Sequence, residues 1–253
     1  MESYKNITLT RVAGDIVEET TDIIAVEKKV RIAVNGTNVL SLYCSPSMIR
    51  EFVVGIIYNE GLLHGEWCAD RISIVYGDEI NVDIPSSGGV STIEKTVTSG
   101  CAGGVSLMRS LPERIPEDGS RFSIRSIREI FREFQKKSEV YRTTGGVHSA
   151  ALTDGTTMLA FAEDIGRHNA VDKIIGFSIL ECIGLSGKMM LASGRLSSEI
   201  VLKCSRCGIP VLVSRAAPTS LAVEIAEKTG LTMIGFVRGE RMNIYSGRQR
   251  IIS

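Results

Sequence analysis

The chain has no net charge: among its 253 residues, Lys and Arg together number 29, and so do Asp and Glu. Such a balance gives no chain-wide electrostatic pull toward nucleic acid or an anionic membrane, so neither is expected as a partner. No apolar run approaches the ~20 residues that a membrane-crossing helix needs. The opening stretch, MESYKNITLTRVAG, lacks the basic start and apolar centre of a secretory signal. The expectation is a soluble, cytoplasmic protein. Histidines number three (His64, His148 and His168) and stand apart in sequence. Six cysteines in a cytosolic chain of this length do not suggest a disulfide framework. Cys204-Ser-Arg-Cys207 has close spacing on an expected helix, but zinc would need two further ligands, and no second such pair exists. These two read as core or semi-buried thiols, and no metal site is expected. Neither GxxxxGK[ST] nor GxGxxG occurs, which leaves nucleotide-hydrolase and dinucleotide readings without support.

What is present divides near residue 140. Residues 1–140 read as a β-rich part with one helix and an irregular zone, and residues 141–253 as an α/β part. In the first, 22–26, 29–34 and 37–43 have strand alternation, and Asn35-Gly36 marks a hairpin. Ser45-Pro46 followed by Met48, Phe52, Val53, Ile56 and Ile57 predicts a helix over 46–59 with Ser45 as its cap, ended by Gly61. Residues 72–76 and 79–84 read as a second hairpin. Residues 85–120 are rich in Ser, Gly and Pro, and a connection this long is functional or disordered. A charged amphipathic helix follows over 124–137. Beyond 141, strands at 149–152, 157–163, 188–191, 210–214, 231–236 and 241–244 are interleaved with helices at 169–182, 197–207 and 220–229. That alternation predicts crossover units, a mostly parallel sheet, and ligands beyond the carboxyl ends of its strands.

The irregular zone holds Cys101, in Thr96-Val-Thr-Ser-Gly-Cys-Ala-Gly-Gly104. Free cysteine is usually buried, whereas this one sits among glycines and small hydroxyl residues. A thiol with little bulk around it is suited to act as a nucleophile or to carry sulfur as a persulfide. The blander alternative is a small residue that happens to be cysteine. Position 104 is glycine, so no CxxC dithiol is centred on Cys101. Glu163-Asp-Ile-Gly-Arg-His-Asn169 crowds carboxylates, Arg167 and His168 at a strand-to-helix junction, which suits either an anion such as phosphate or plain helix capping. Ser193-Gly-Arg195 repeats the strand–glycine–arginine pattern, and the two junctions could wall one anion site. His148 follows the glycine turn Thr143-Thr-Gly-Gly146 and reads first as a structural histidine. At the carboxyl end, Arg238, Arg241, Arg248 and Arg250 form a candidate basic patch. A thiol hydrolase with Cys101 as nucleophile and His148 as base is one rival reading. A nucleotide-binding chaperone in which Cys101 is incidental is another.

Together these stretches resemble the FdhD family of formate dehydrogenase accessory proteins, which are sulfur carriers. The resemblance rests on Thr98-Ser-Gly-Cys101, Gly145-Gly-Val-His148, Glu163-Asp-Ile-Gly-Arg-His-Asn-Ala-Val-Asp-Lys173, Ser193-Gly-Arg195, Ala217-Pro-Thr-Ser220 and Gly235-Phe-Val-Arg-Gly239, in the family's order. It implies sulfurtransferase activity: a cysteine desulfurase loads Cys101 as a persulfide, and the sulfur passes to the bis-guanine-dinucleotide molybdenum cofactor destined for formate dehydrogenase. It further implies that Phe236, Val237, Arg238, Gly239, Glu240 and Arg241 bind that cofactor, with Arg167, Arg195 and His148 beside them. The fold implied is a carboxyl-terminal three-layer α/β sandwich of the cytidine-deaminase type, in a chain that is α+β overall and pairs as a homodimer. The zinc signature of deaminases is missing, so deamination is not implied. Some family members have a second cysteine where this chain has Gly104, so transfer here would run through one sulfur.

Overall fold

The computed structural model describes residues 1–63, 65–88 and 111–253, together with the backbone of 96–97 and 105–106. The chain opens with β1 (Tyr4–Ala13) and β2 (Ile16–Ala25), a two-stranded antiparallel ribbon. β3 (Lys28–Val34) and β4 (Thr37–Cys44) then pair through Asn35 and Gly36. Both turn residues take positive φ (49° and 78°), the geometry that matches strand twist in a two-residue hairpin. α1 (Ile49–Glu60) follows, and then β5 (Ser73–Val75) and β6 (Ile80–Ile84). These strands form a sheet of order β4-β3-β6-β5. Val30, Ile32 and Val34 alternate inward on β3 and pack with Phe52, Val53, Ile56 and Ile57 of α1.

Two short strands, β7 (Thr96–Val97) and β8 (Val105–Ser106), pair antiparallel. Residues 111–121 form no regular element, as their breakers predict. Asp118 anchors them by accepting hydrogen bonds from the Gly187 amide and the Ser186 hydroxyl. β9 (Phe122–Ser123) leads into α2 (Ile124–Lys137), which is capped by the Ser123 hydroxyl, and a short α3 (Glu139–Thr144) follows.

The carboxyl part comprises β10 (His148–Thr153), β11 (Met158–Asp164), α4 (Arg167–Leu180), β12 (Met189–Ala192), α5 (Ser198–Arg206), β13 (Val211–Ser214), α6 (Ser220–Thr229), β14 (Thr232–Arg238) and β15 (Arg241–Ser246). β16 (Ile251–Ile252) returns to pair with β9. The six-stranded sheet has the order β11-β10-β12-β13-β14-β15. One face packs against α4, α5 and α6 through residues such as Leu152, Met190, Leu212 and Met233. The other packs against Ile127, Ile130, Phe131 and Phe134 of α2. The expected three-layer α/β sandwich is therefore present, within a mixed α+β chain. The sheet is not mostly parallel, however. Only the β12–β13 and β13–β14 pairings are parallel. The short links 154–157 and 239–240 leave no room for crossovers and force hairpins, and β10 joins β12 antiparallel. Among the described residues, no helix is long and apolar enough to cross a membrane.

α1 and α4 cross with their backbones in contact. A Cβ on Gly55 would lie 1.9 Å from the Asp172 carbonyl oxygen, and one on Gly176 would lie 1.7 Å from that of Glu51. Only glycine fits at either position. Buried polar groups flank this crossing. Lys203 Nζ lies 2.8 Å from Asp172 Oδ1 and 2.9 Å from Glu60 Oε1, while the Asn59 amide donates to Asp172 Oδ1 at 2.6 Å. Burial opposes the Lys203 charge, but Asp172 and Glu60 outweigh it and raise its pKa. Lys173 Nζ lies 2.7 Å from Asp164 Oδ2 and also donates to the Ser45 carbonyl.

This second cluster corrects the expected helix start. Ser45 does not cap a helix at 46. Its amide donates to Asp164, and its hydroxyl accepts from the Ile165 amide. The helix begins three residues later, at Ile49, after Met48 has taken a left-handed φ of 54°.

Candidate functional site

Strand register brings the suspected loops to one edge of the six-stranded sheet. His148 opens β10 opposite Asp164 at the end of β11. Ala192, the last residue of β12, pairs with Ser214, the last of β13. The segments that follow, 193–195 and 215–217, therefore leave the sheet side by side. Val213 pairs with Ile234, which brings Phe236 to the same rim. Hydrogen bonds stitch this rim together. Ser193 Oγ accepts from the Ser149 amide at 2.9 Å and lies 3.3 Å from His148 Nδ1. The Ser214 hydroxyl donates to the Gly194 carbonyl at 2.7 Å. The Phe236 amide donates to the Ala216 carbonyl, and Arg238 Nε to the Arg215 carbonyl.

Arg167 starts α4 and is half-buried. A Cβ on Gly194 would lie 2.9 Å from the Arg167 Cβ, so glycine there lets the arginine stem cross the rim. Arg195 is exposed one residue further on. The amides of Ile165 and Gly166, by contrast, are taken by Ser45 and Asp164. Those two amides of the glycine loop are therefore not available to an anion. His168 points beneath the rim, where Nε2 lies 2.9 Å from Glu199 Oε2 and 3.2 Å from Ser197 Oγ, tying the starts of α4 and α5.

The segment Phe236–Arg241 closes the β14–β15 hairpin, with a register shift between Gly235 and Arg238. Phe236 takes a φ of 54°, rare for a bulky residue and strained. The reward is a presented ring: the guanidiniums of Arg238 and Arg241 lie 5.9 and 5.6 Å from its centroid. Gly239 makes the turn with φ 56°. The Val237 side chain is buried in the core on the α2 side, so it offers the rim only its backbone. Glu240 is paired with Arg128 of α2 at 2.8 Å, which offsets its charge beside the arginines.

Arg215 lines the same rim and was not singled out from sequence, since Ser214-Arg-Ala-Ala carries no glycine and no helix start at that point. It borders a cavity of about 150 Å³ lined also by Phe134, Gln135, Ser138, Tyr141, His148, Ser149 and Ser193. Burial holds the His148 imidazole below its usual pKa, and Arg167 and His168 add to this.

Cys101 lies outside the described residues, as do His64 and Gly104. Cys204 and Cys207 fall where core thiols were expected. Burial raises the Cys204 thiol well above its ordinary pKa, and burial with nearby Asp172 takes Cys207 to about 12. Such thiols are poor nucleophiles. Among the described residues, no cluster of three or more His, Cys, Asp or Glu could hold a metal.

The FdhD/NarQ family model matches residues 25–252. The chain is 36% identical over 241 residues to the sulfur carrier protein FdhD of Bacillus pumilus, covering 91% of each chain. It is 32% identical to that of Bacillus licheniformis, covering 98% of both, and 35% identical to that of Staphylococcus aureus, covering 92% of this chain and 91% of the other. A crystal structure assigned as a formate dehydrogenase accessory protein of Desulfotalea psychrophila superposes with a TM-score of 0.78 at 25% identity, covering 99% of this chain and 100% of that one.

Proposed function

Because the chain belongs to the FdhD/NarQ family, we propose that it is a sulfur carrier serving formate dehydrogenase. The observation that carries this reading is the near-full-length similarity to proteins named sulfur carrier protein FdhD. The finer steps belong to the same proposal. The Cys101 thiolate attacks the terminal sulfur of a cysteine desulfurase persulfide. The donor S–S bond breaks, a new one forms on Cys101, and the donor leaves as a thiolate. Release of that sulfur as sulfide takes two electrons, which a thiol reductant supplies. The recipient is the bis-guanine-dinucleotide molybdenum cofactor, as substrate. The protein acts as a homodimer.

The rim suits such a recipient. Arg167, Arg195, Arg238 and Arg241 oppose phosphate charge, and the strained Phe236 offers a ring to a flat base. Glu240, the carboxylate within the hairpin, is paired with Arg128. The test is sulfur loading: a desulfurase with cysteine adds sulfane sulfur to the wild type, read as a mass increase on the Cys101 peptide. Equal loading of Cys101→Ala would show the carrier residue to be elsewhere.

A further inference from the structure

The β1–β2 ribbon takes no part in the reading above. Its strands have ten residues each and span roughly 34 Å. At the base, β2 meets α3 and Ala25 lies against Gly146. Most of both strands is exposed beyond that point. A two-stranded ribbon alone is marginally stable in water, and further strands or a packed apolar face are needed to hold it. Strand register separates the two faces of the ribbon. Ile7, Leu9, Ala13, Ile16 and Ile24 fall on one, whereas Asn6, Thr8, Thr10 and Thr21 fall on the other. The charges on the apolar face are sorted by strand, with Lys5 and Arg11 on β1 and Glu18 and Asp22 on β2. Arg11 stands opposite Glu18 in the register, and neither makes an ion pair among the described residues. A face that is apolar along its centre, basic down one strand and acidic down the other is complementary to itself.

We infer that this face is where a second copy of the chain docks, ribbon against ribbon. The inference rests on the homodimer in the reading above and supplies a contact surface for it. Two ribbons then form a four-stranded sandwich, with Ile7, Leu9 and Ile16 turned inward from each copy. Charge selects the arrangement. A two-fold axis along the ribbon lays β1 of one copy over β2 of the other, which sets Arg11 against Glu18 of the partner subunit. An axis across the ribbon lays like strand over like strand, so that basic side chains crowd basic ones and acidic crowd acidic. Opposite charges face to face stabilise such pairs and like charges destabilise them.

Full-length wild type, Arg11→Glu and Glu18→Arg are compared by sedimentation at micromolar concentrations, each alone and the two variants mixed in equal amounts. The wild type sediments as a dimer. Each variant alone sets like charges against each other at both symmetric contacts and dimerises about tenfold more weakly. Mixing the variants restores wild-type affinity, because each new charge then faces its opposite on the other copy. Within each copy this cross-strand pair still carries like charges, so the rescue reports contact between copies and not repair of the ribbon. A monomeric wild type, variants that dimerise as tightly as the wild type, or a mixture no tighter than its components overturns the inference. Sulfur loading of Cys101 is read on the same samples. Loading by a monomeric wild type removes the ribbon contact and leaves the carrier reading. Rescue by mixing, with no sample loading sulfur, keeps the contact and removes the carrier reading.

Discussion

Lys203 lies in the buried polar cluster beside the α1–α4 crossing. Its ammonium is buried between Asp172 and Glu60, so removing it strands two carboxylates in a dry environment. Lys203→Met is expected to destabilise the fold by about 3–5 kcal/mol, read from urea midpoints. Replacing Lys203, Asp172 and Glu60 together with apolar residues should cost less than Lys203→Met alone. His148 makes a smaller, pH-dependent contribution. Its folded pKa is depressed, so the folded state binds this proton less readily than the unfolded chain. The contribution is full above the unfolded value of roughly 6.5 and is lost as pH falls through the folded one. His148→Gln should therefore lose less stability than the parent between neutral and mildly acidic pH. The sequence marked Glu163–Asn169 as either an anion site or plain helix capping, and much of that crowding proves to be joinery. Asp164, Asn169, Asp172 and Lys173 bond to residues 43–59, while Arg167 lies at the rim. Spacing along one chain cannot separate these roles, because Ser45, which donates to Asp164, and Asn59, which donates to Asp172, lie more than a hundred residues away.

Elements with a strong period were legible. The helices over Ile124–Lys137 and Ser220–Thr229 fall where their apolar stripes put them. β1 was missed because its alternation is weak, and a ribbon exposed along most of its length has no core to imprint one. Strand direction was also hidden, since periodicity fixes which face is buried and not whether the next strand runs up or down. Two predictions belong to this scale. At the α1–α4 crossing, Gly55→Ala or Gly176→Ala drives a methyl into a backbone carbonyl. Each should cost about 1–3 kcal/mol or more, seen as a lowered melting temperature. At the β14–β15 hairpin, Phe236→Gly relieves the positive φ but removes the ring that the arginines flank. The variant should melt within a few degrees of the parent while supporting less formate dehydrogenase activity. A melting temperature that collapses would show that the ring is there for packing.

Across the whole molecule, the β1–β2 ribbon is exposed along most of its length and meets the rest where β2 touches α3. The family match begins at residue 25, where the ribbon ends. Val12, Ile16 and Val17 near its tip are each 66% exposed. A protein lacking residues 1–25 is expected to fold and to load sulfur at the parental rate; loss of cooperative unfolding would show that the ribbon completes a core. The α1–α4 crossing has a consequence at this scale as well. Two helices spaced by side chains can slide along each other by small rotamer adjustments, which is how shear motions proceed. Here carbonyl meets Cα with no side chain between, and any slip would bring the neighbouring side chain into the gap the glycine leaves. The contact acts as a pin rather than a rail. With the buried pairs beside it, it holds α1 and α4 at a fixed distance.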